Sequence, residues 1–251
     1  MKEIRLGKYR LEVYDSIDEL PIERYHKYNK MLLVDAGVGS TIQAFDAHIG
    51  KALAFLKTKP EEAAKELENL RQNVYLLQEE VSPNNLAFCA LVATVNGKLQ
   101  NDLSTEGLSR LAKKFDKVLQ KQLNDNLDGI KKKISGELAL YFPKLFDDAS
   151  VKEYFDLIRR RALLQCDGVI ERRDVTREVE SLTLEIMLFD EPRSFSGTNS
   201  EEVKMDRQFE AMCIGLSHHL GVNAKQYTVM EYYSAFEHIK QSNGRKSNKV
   251  Q

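Results

Sequence analysis

Between Leu108 and Ile134 the chain keeps one spacing. Apolar residues stand at Leu108, Leu111, Phe115, Leu119, Leu123, Leu127, Ile130 and Ile134, three or four positions apart. An α-helix turns once every 3.6 residues, so this spacing lays a single apolar stripe along one face. A half-buried strand would need strict alternation, which the stretch lacks. The same period returns elsewhere. One stripe holds Ile42, Phe45, Ile49, Leu53 and Leu56, and the next holds Ala63, Leu67, Leu70, Val74, Leu77 and Val81. Others hold Tyr154, Phe155, Ile158, Ala162 and Cys166, then Val175, Val179, Leu182, Ile186 and Phe189, then Met205, Phe209, Met212, Leu216 and Leu220. A chain built of such stripes is an all-α bundle of long amphipathic helices.

Turn and cap residues divide these stripes. Pro21 suits a first helical turn, and Gly37 with Gly39 suits a stop. Ser40 and Gln43 read as a capping box, as do Thr58 with Glu61, Ser150 with Glu153, Thr198 with Glu201, and Thr228 with Glu231. Ser82-Pro83 opens a short apolar helix, "NNLAFCALVATV", that the Asn96-Gly97 turn closes. Leu103, Ser104 and Leu108 form a hydrophobic staple, and Gly129 and Gly136 are the candidate breaks in the long stripe. Residues 3–14, "EIRLGKYRLEVY", alternate around Gly7 and read as a β-hairpin, the one expected sheet. The expected layout is a hairpin arm over 1–15, a helical body over 16–192, a loop over 193–200, a two-helix unit over 201–241 and a basic tail over 242–251.

The 251 residues carry a formal net charge of −1, so no overall field draws the molecule to nucleic acid or membrane. With 30% charged and 42% hydrophobic residues, the composition fits a helix-rich globular chain. The opening residues, "MKEIR", lack the apolar run of a signal peptide, and no stretch approaches the length of a membrane span. Cys89, Cys166 and Cys213 lie far apart in apolar patterns and read as free thiols in a reducing compartment.

Catalytic and metal-binding patterns are thin. Glu23 and His26 make one Glu-x-x-His, but a di-metal bundle needs a second copy. His218 and His219 diverge by about 100° on a helix, so at most one shares a face with Cys213. "DAGVGST" lacks the lysine of a phosphate loop, and no nucleophile elbow is present. Catalytic, cofactor and metal residues are therefore expected to be none. Basic runs such as Arg159-Arg160-Arg161 alternate with acidic ones, the pattern of complementary protein surfaces. The candidate interface residues are Ile4, Leu6 and Tyr9 on the hairpin, Tyr25 and Tyr28, the C-terminal Tyr232 and Tyr233, and Lys246 in the tail.

The stretches "YDSIDELPIERYHKYNKMLLVDAGVGSTIQAFDAHI" and "AAKELENLRQNVYLLQEEVSPNNLAFCALV" resemble a structural protein of crAss-like tailed bacteriophages. The resemblance covers roughly residues 2–104. It implies a non-enzymatic virion protein, a subunit of a head–tail connector or tail ring. The implied partners are copies of itself in a closed ring, the portal and other tail or ring proteins, with DNA in the bore within reach of the basic tail. It implies no cofactor and no membrane, with assembly in the host cytoplasm and residence at the head–tail junction. The alternative readings are a soluble helical assembly factor and a nucleic-acid-binding module.

Overall fold

The structure, a computed structural model, describes the chain over residues 1–115, 120–146, 149–189 and 191–247, with side chains over 1–115, 122–145, 153–189 and 191–241. In chain order it runs β1 (Lys2–Leu6), β2 (Tyr9–Val13), α1 (Ile22–Gly37), α2 (Ile42–Phe55), α3 (Pro60–Gln78), α4 (Pro83–Leu91), β3 (Val92–Val95) and β4 (Lys98–Leu99). It continues with α5 (Thr105–Ala112), α6 (Gln120–Tyr141), α7 (Ala149–Glu171), α8 (Thr176–Phe189), α9 (Glu201–Leu220) and α10 (Val229–Ser247). The fold is mostly helical, as the periodicity requires.

The sheet is larger than the expected hairpin. Four antiparallel strands lie in the order β1-β2-β3-β4. Ile4 stands opposite Leu11 and Leu6 opposite Tyr9, while β3 joins β2 with Leu11 opposite Val95. The apolar run expected to be helical through Val95 is helix only to Leu91. Its last residues are β-branched Val92, Thr94 and Val95, which suit a strand. Asn96 and Gly97 both take positive φ, +49° and +75°, the two-residue turn that matches strand twist.

One core joins the inner sheet face to α1, α4, α5, α6, α9 and α10. The opening stripe supplies much of it: Leu108, Leu111, Phe115, Leu123, Leu127, Ile130 and Ile134 are all buried. Neither Gly129 nor Gly136 interrupts α6; the interruption comes earlier, after Ala112. Leu119 and Ser150 lie outside the residues whose side chains are described. The C-terminal helices belong to the same core. The Ile22 N–H donates to the Tyr227 carbonyl at 2.9 Å, and the Val229 N–H to that of Leu20 at 2.9 Å.

Several caps form as read. Ser104 Oγ accepts from the Gly107 N–H at 3.0 Å. Thr228 and Glu231 form the reciprocal box, with each backbone N–H donating to the other's side chain at 2.8 and 3.3 Å. Others shift. The cap of α2 is Thr41 rather than Ser40, and that of α9 is Ser200 rather than Thr198. The α3 cap position is Lys59, with no side-chain cap bond, so the Thr58 box does not form.

Two helical pairs lie outside the core cluster. α2 and α3 pack on each other beside the end of α1. α7 packs on α8, and α8 rests on α2. No described helix is long and apolar enough to cross a membrane.

Candidate functional site

The α1 helix carries two polar contacts that hold the body together. Arg24 is 7% exposed. Its Nη1 donates to the carbonyls of Ala90 at 3.1 Å and Val92 at 2.8 Å, and its Nη2 donates to that of Gln100. The Tyr14 ring lies 5.5 Å from the guanidinium. A helix end leaves carbonyls without partners, and a cation there also meets the negative end of the helix dipole. Arg24 thus lets α4 pass directly into β3. Burial lowers its pKa, with Tyr14 opposing.

His26, two residues on, faces α9. Its Nε2 lies 2.7 Å from Asp206 Oδ1, Lys30 Nζ lies 2.7 Å from Asp206 Oδ2, and its ring stacks on Phe209 at 4.1 Å. Burial holds the His26 pKa below its ordinary value, against the pull of Asp206. Burial also raises Asp206, but its bonds from Lys30 and His26 outweigh that and hold its carboxyl below the usual range. Among the described residues no group of three or more His, Cys, Asp or Glu side chains could hold a metal ion.

The second polar site lies between α2 and α3. The apolar stripe read on α3 does not define its buried face. Ala63, Glu66, Asn69 and Asn73 are buried there, and Leu67 is 52% exposed. Each polar member holds a specific group. Glu66 Oε2 lies 2.6 Å from His48 Nδ1, whose Nε2 lies 2.9 Å from the Val38 carbonyl. Both ring nitrogens therefore lie against oxygen atoms, which fixes the ring between α3 and the end of α1. Asn73 Nδ2 donates to the carbonyls of Val38 at 3.2 Å and Thr41 at 3.4 Å. Asn69 grips the segment after α8, its Nδ2 donating to the Arg193 carbonyl at 2.8 Å and its Oδ1 accepting from the Phe195 N–H at 3.3 Å.

The polar face of α3 therefore serves backbone that leaves regular structure. It binds the α1–α2 turn, where Gly39 takes φ +66°, and the strap that follows α8. Gly37 gives that strap its seat. A Cβ there would stand 2.0 Å from Phe195 Cε2, so only glycine admits the ring. The stretch "EPRSFSGTNSEE", read as a loop between units, is pinned at Phe195, which is 6% exposed. An open cleft of about 360 Å³ beside it is lined by Asp35, His48, Lys51, Glu66 and Arg193, whose charges are mixed.

The expected interface residues fall mainly inside the chain. Ile4, Leu6, Tyr25, Tyr28 and Tyr232 are buried in its own core, and Tyr9 and Tyr233 are partly buried against it. Tyr25 meets Tyr233 at 6.4 Å and Tyr232 meets Tyr233 at 5.6 Å, so these tyrosines join α1 to α10 within the chain. Burial raises the pKa of Tyr28, Tyr232 and Tyr233. Lys246 lies outside the residues whose side chains are described.

The surface instead exposes the stripes of the outer helices. On α2 and its C-cap, Ile42 is 68%, Leu53 65% and Leu56 57% exposed. On α7, Phe155 is 61%, Leu163 52%, Val169 80% and Ile170 78% exposed. α8 has no buried residue, and Leu157 is the one large hydrophobic buried among the described side chains of α7. No family model, no curated protein and no solved structure matches this chain.

Proposed function

We propose that this chain is a structural subunit of a phage virion, repeated in a head–tail connector or tail ring that joins portal to tail in a short-tailed phage, and that it works by packing rather than by catalysis. The observation that carries this reading is the α7–α8 pair. Among its described side chains, residues 153–189, Leu157 is the one large hydrophobic buried, the α8 stripe is half-buried, and Phe155, Leu163, Val169, Ile170 and Leu184 stand exposed. A monomer gains little from a helical arm with apolar sides in water, whereas a subunit in a closed assembly covers that arm with its neighbour. The resemblance of residues 2–104 to a crAss-like phage structural protein supplies the setting. The mixed charge of the outer helices suits surfaces that recognise one another.

Two measurements test it. Negative-stain microscopy of the purified chain, alone and with the portal, is expected to show closed rings. Mass spectrometry of purified virions is expected to find the chain at a stoichiometric copy number. A strict monomer absent from virions overturns the reading. Rings without virion incorporation move it to the assembly-factor alternative.

A further inference from the structure

The exposed stripes of α2 and α7 share one spacing. On α2 and its C-cap the outward positions are Ile42, Asp46, Ile49, Leu53 and, at the cap, Leu56, whose backbone keeps helical angles. On α7 they are Phe155, Arg159, Ala162, Cys166 and Val169. Both follow steps of four, three, four and three residues, and all ten side chains are exposed. Such steps make the seam of two helices packed lengthwise at about 20°. Each seam spans about 21 Å at 1.5 Å per residue. Each carries one charge, at its second position, and the charges are opposite: Asp46 on α2 and Arg159 on α7.

We infer that α7 of one copy packs parallel and in register on α2 of the next, with Arg159 meeting Asp46. The occupant follows from charge and register together. Parallel alignment sets the two charges side by side among apolar residues. Antiparallel alignment would place each against the far end of the other stripe. An α7–α7 or α2–α2 pairing in the same register would set like charges together. The contact is heterologous, so each copy gives one seam and receives on the other, and a rotation that closes makes a ring. The remaining α7 side chains Leu163 and Ile170 flank the seam and widen the contact. The opposite face of α7, with Leu157, is turned away from this seam. This inference rests on the multi-copy reading above and specifies its contact.

Charge reversal in the full chain tests it, with mass photometry as the readout. The wild type is expected to form multimers. Asp46→Arg and Arg159→Asp are each expected to weaken assembly about tenfold or more, as for loss of a close interfacial charge pair. An equal mixture of the two variants is expected to assemble again, because each variant then offers the charge its neighbour lacks. A covalent readout checks the register. Leu53 and Cys166 hold the same place in their seams, and Cys89 and Cys213 are buried. Leu53→Cys oxidised with copper phenanthroline is expected to give a ladder of disulfide-linked multimers that Cys166→Ser removes, while Leu67→Cys on α3 gives none. If the charge variants assemble like the wild type, this contact is overturned and the ring reading stands. If Arg159→Asp weakens assembly and Asp46→Arg does not, a different α7 contact replaces this one. A wild type that stays monomeric at every concentration overturns both.

Discussion

The sheet-centred body and the outer helices use the same kind of amphipathic sequence in opposite ways. In the body the apolar stripe and the buried face coincide. Leu123, Leu127, Ile130 and Ile134 of α6 stand inside, as spaced. In the α2–α3 pair they part. Glu66, Asn69 and Asn73 go inside, while Ile42, Leu53, Leu56 and Leu67 remain in water. A hydrophobic stripe fixes which face avoids water, but not whether the covering surface comes from the same chain. Where backbone leaves regular structure, as at Val38, Thr41 and Arg193, its carbonyls take polar side chains as partners, because burying them without partners would cost more than exposing a leucine.

The sharpest contrast comes from truncating one leucine in each region. Leu127→Ala, in the body, is expected to lower unfolding free energy by about 3–5 kcal/mol. Leu53→Ala, on the outer stripe, is expected to change it by less than about 0.5 kcal/mol in the isolated chain. Urea unfolding of both variants measures the difference, and equal losses would break the contrast. Next in size is the buried pair. Glu66→Leu leaves His48 without its carboxylate and is expected to cost about 3 kcal/mol, whereas His48→Phe with Glu66→Leu recovers most of that. A double variant as unstable as the single would show that the two side chains do more than satisfy each other.

Arg24→Met tests the polar contact on the body side. It leaves the Ala90, Val92 and Gln100 carbonyls short of a donor and is expected to cost about 2 kcal/mol. Hydrogen exchange should then rise at the α4–β3 junction before α6.

A smaller effect is pH-dependent and sits at the α1–α9 contact. The folded His26 pKa lies below its ordinary 6.5, so the unfolded chain takes up that proton first. Stability is therefore expected to fall as pH drops below about 6.5. Asp206, held low, adds to the loss only at lower pH, and Glu202, raised by burial, opposes it. Lys27 and Lys30 face the same group and lower its pKa further. His26→Phe keeps a flat ring against Phe209 and is expected to flatten the fall in urea midpoint between about pH 7 and about pH 5. An unchanged slope would place the dependence elsewhere. The smallest expected change is Thr41→Ala, which removes the α2 cap bond to the Ala44 N–H and should cost about 1 kcal/mol.

Much of the fold was legible in local chemistry. Helical period, Ser104 and the Thr228–Glu231 box act within a few residues, so they read correctly without the rest of the chain. The strand at Val92 was harder. Its switch from helix depends on Arg24, distant in sequence, which accepts the role of capping α4 from α1. A signal existed, since Arg24, Tyr28 and Met31 share one face, and a charge on that face calls for buried acceptors. Glu66, Asn69 and Asn73 offered a similar signal, three polar residues at helical spacing beside an apolar stripe. The tyrosines misled because an aromatic residue fills a core and an interface equally well.

By itself the sequence determined that the chain is mainly helical, where helices such as α4, α5 and α10 begin, and which faces are apolar, because periodicity and capping are short-range properties. Only the tertiary structure decided which apolar faces this chain covers for itself. It buried tyrosines such as Tyr25, Tyr28 and Tyr232, drew the polar comb of α3 inward and left the outer stripes of α2 and α7 exposed, because those outcomes depend on which distant backbone groups need partners and on how much apolar surface one core can enclose.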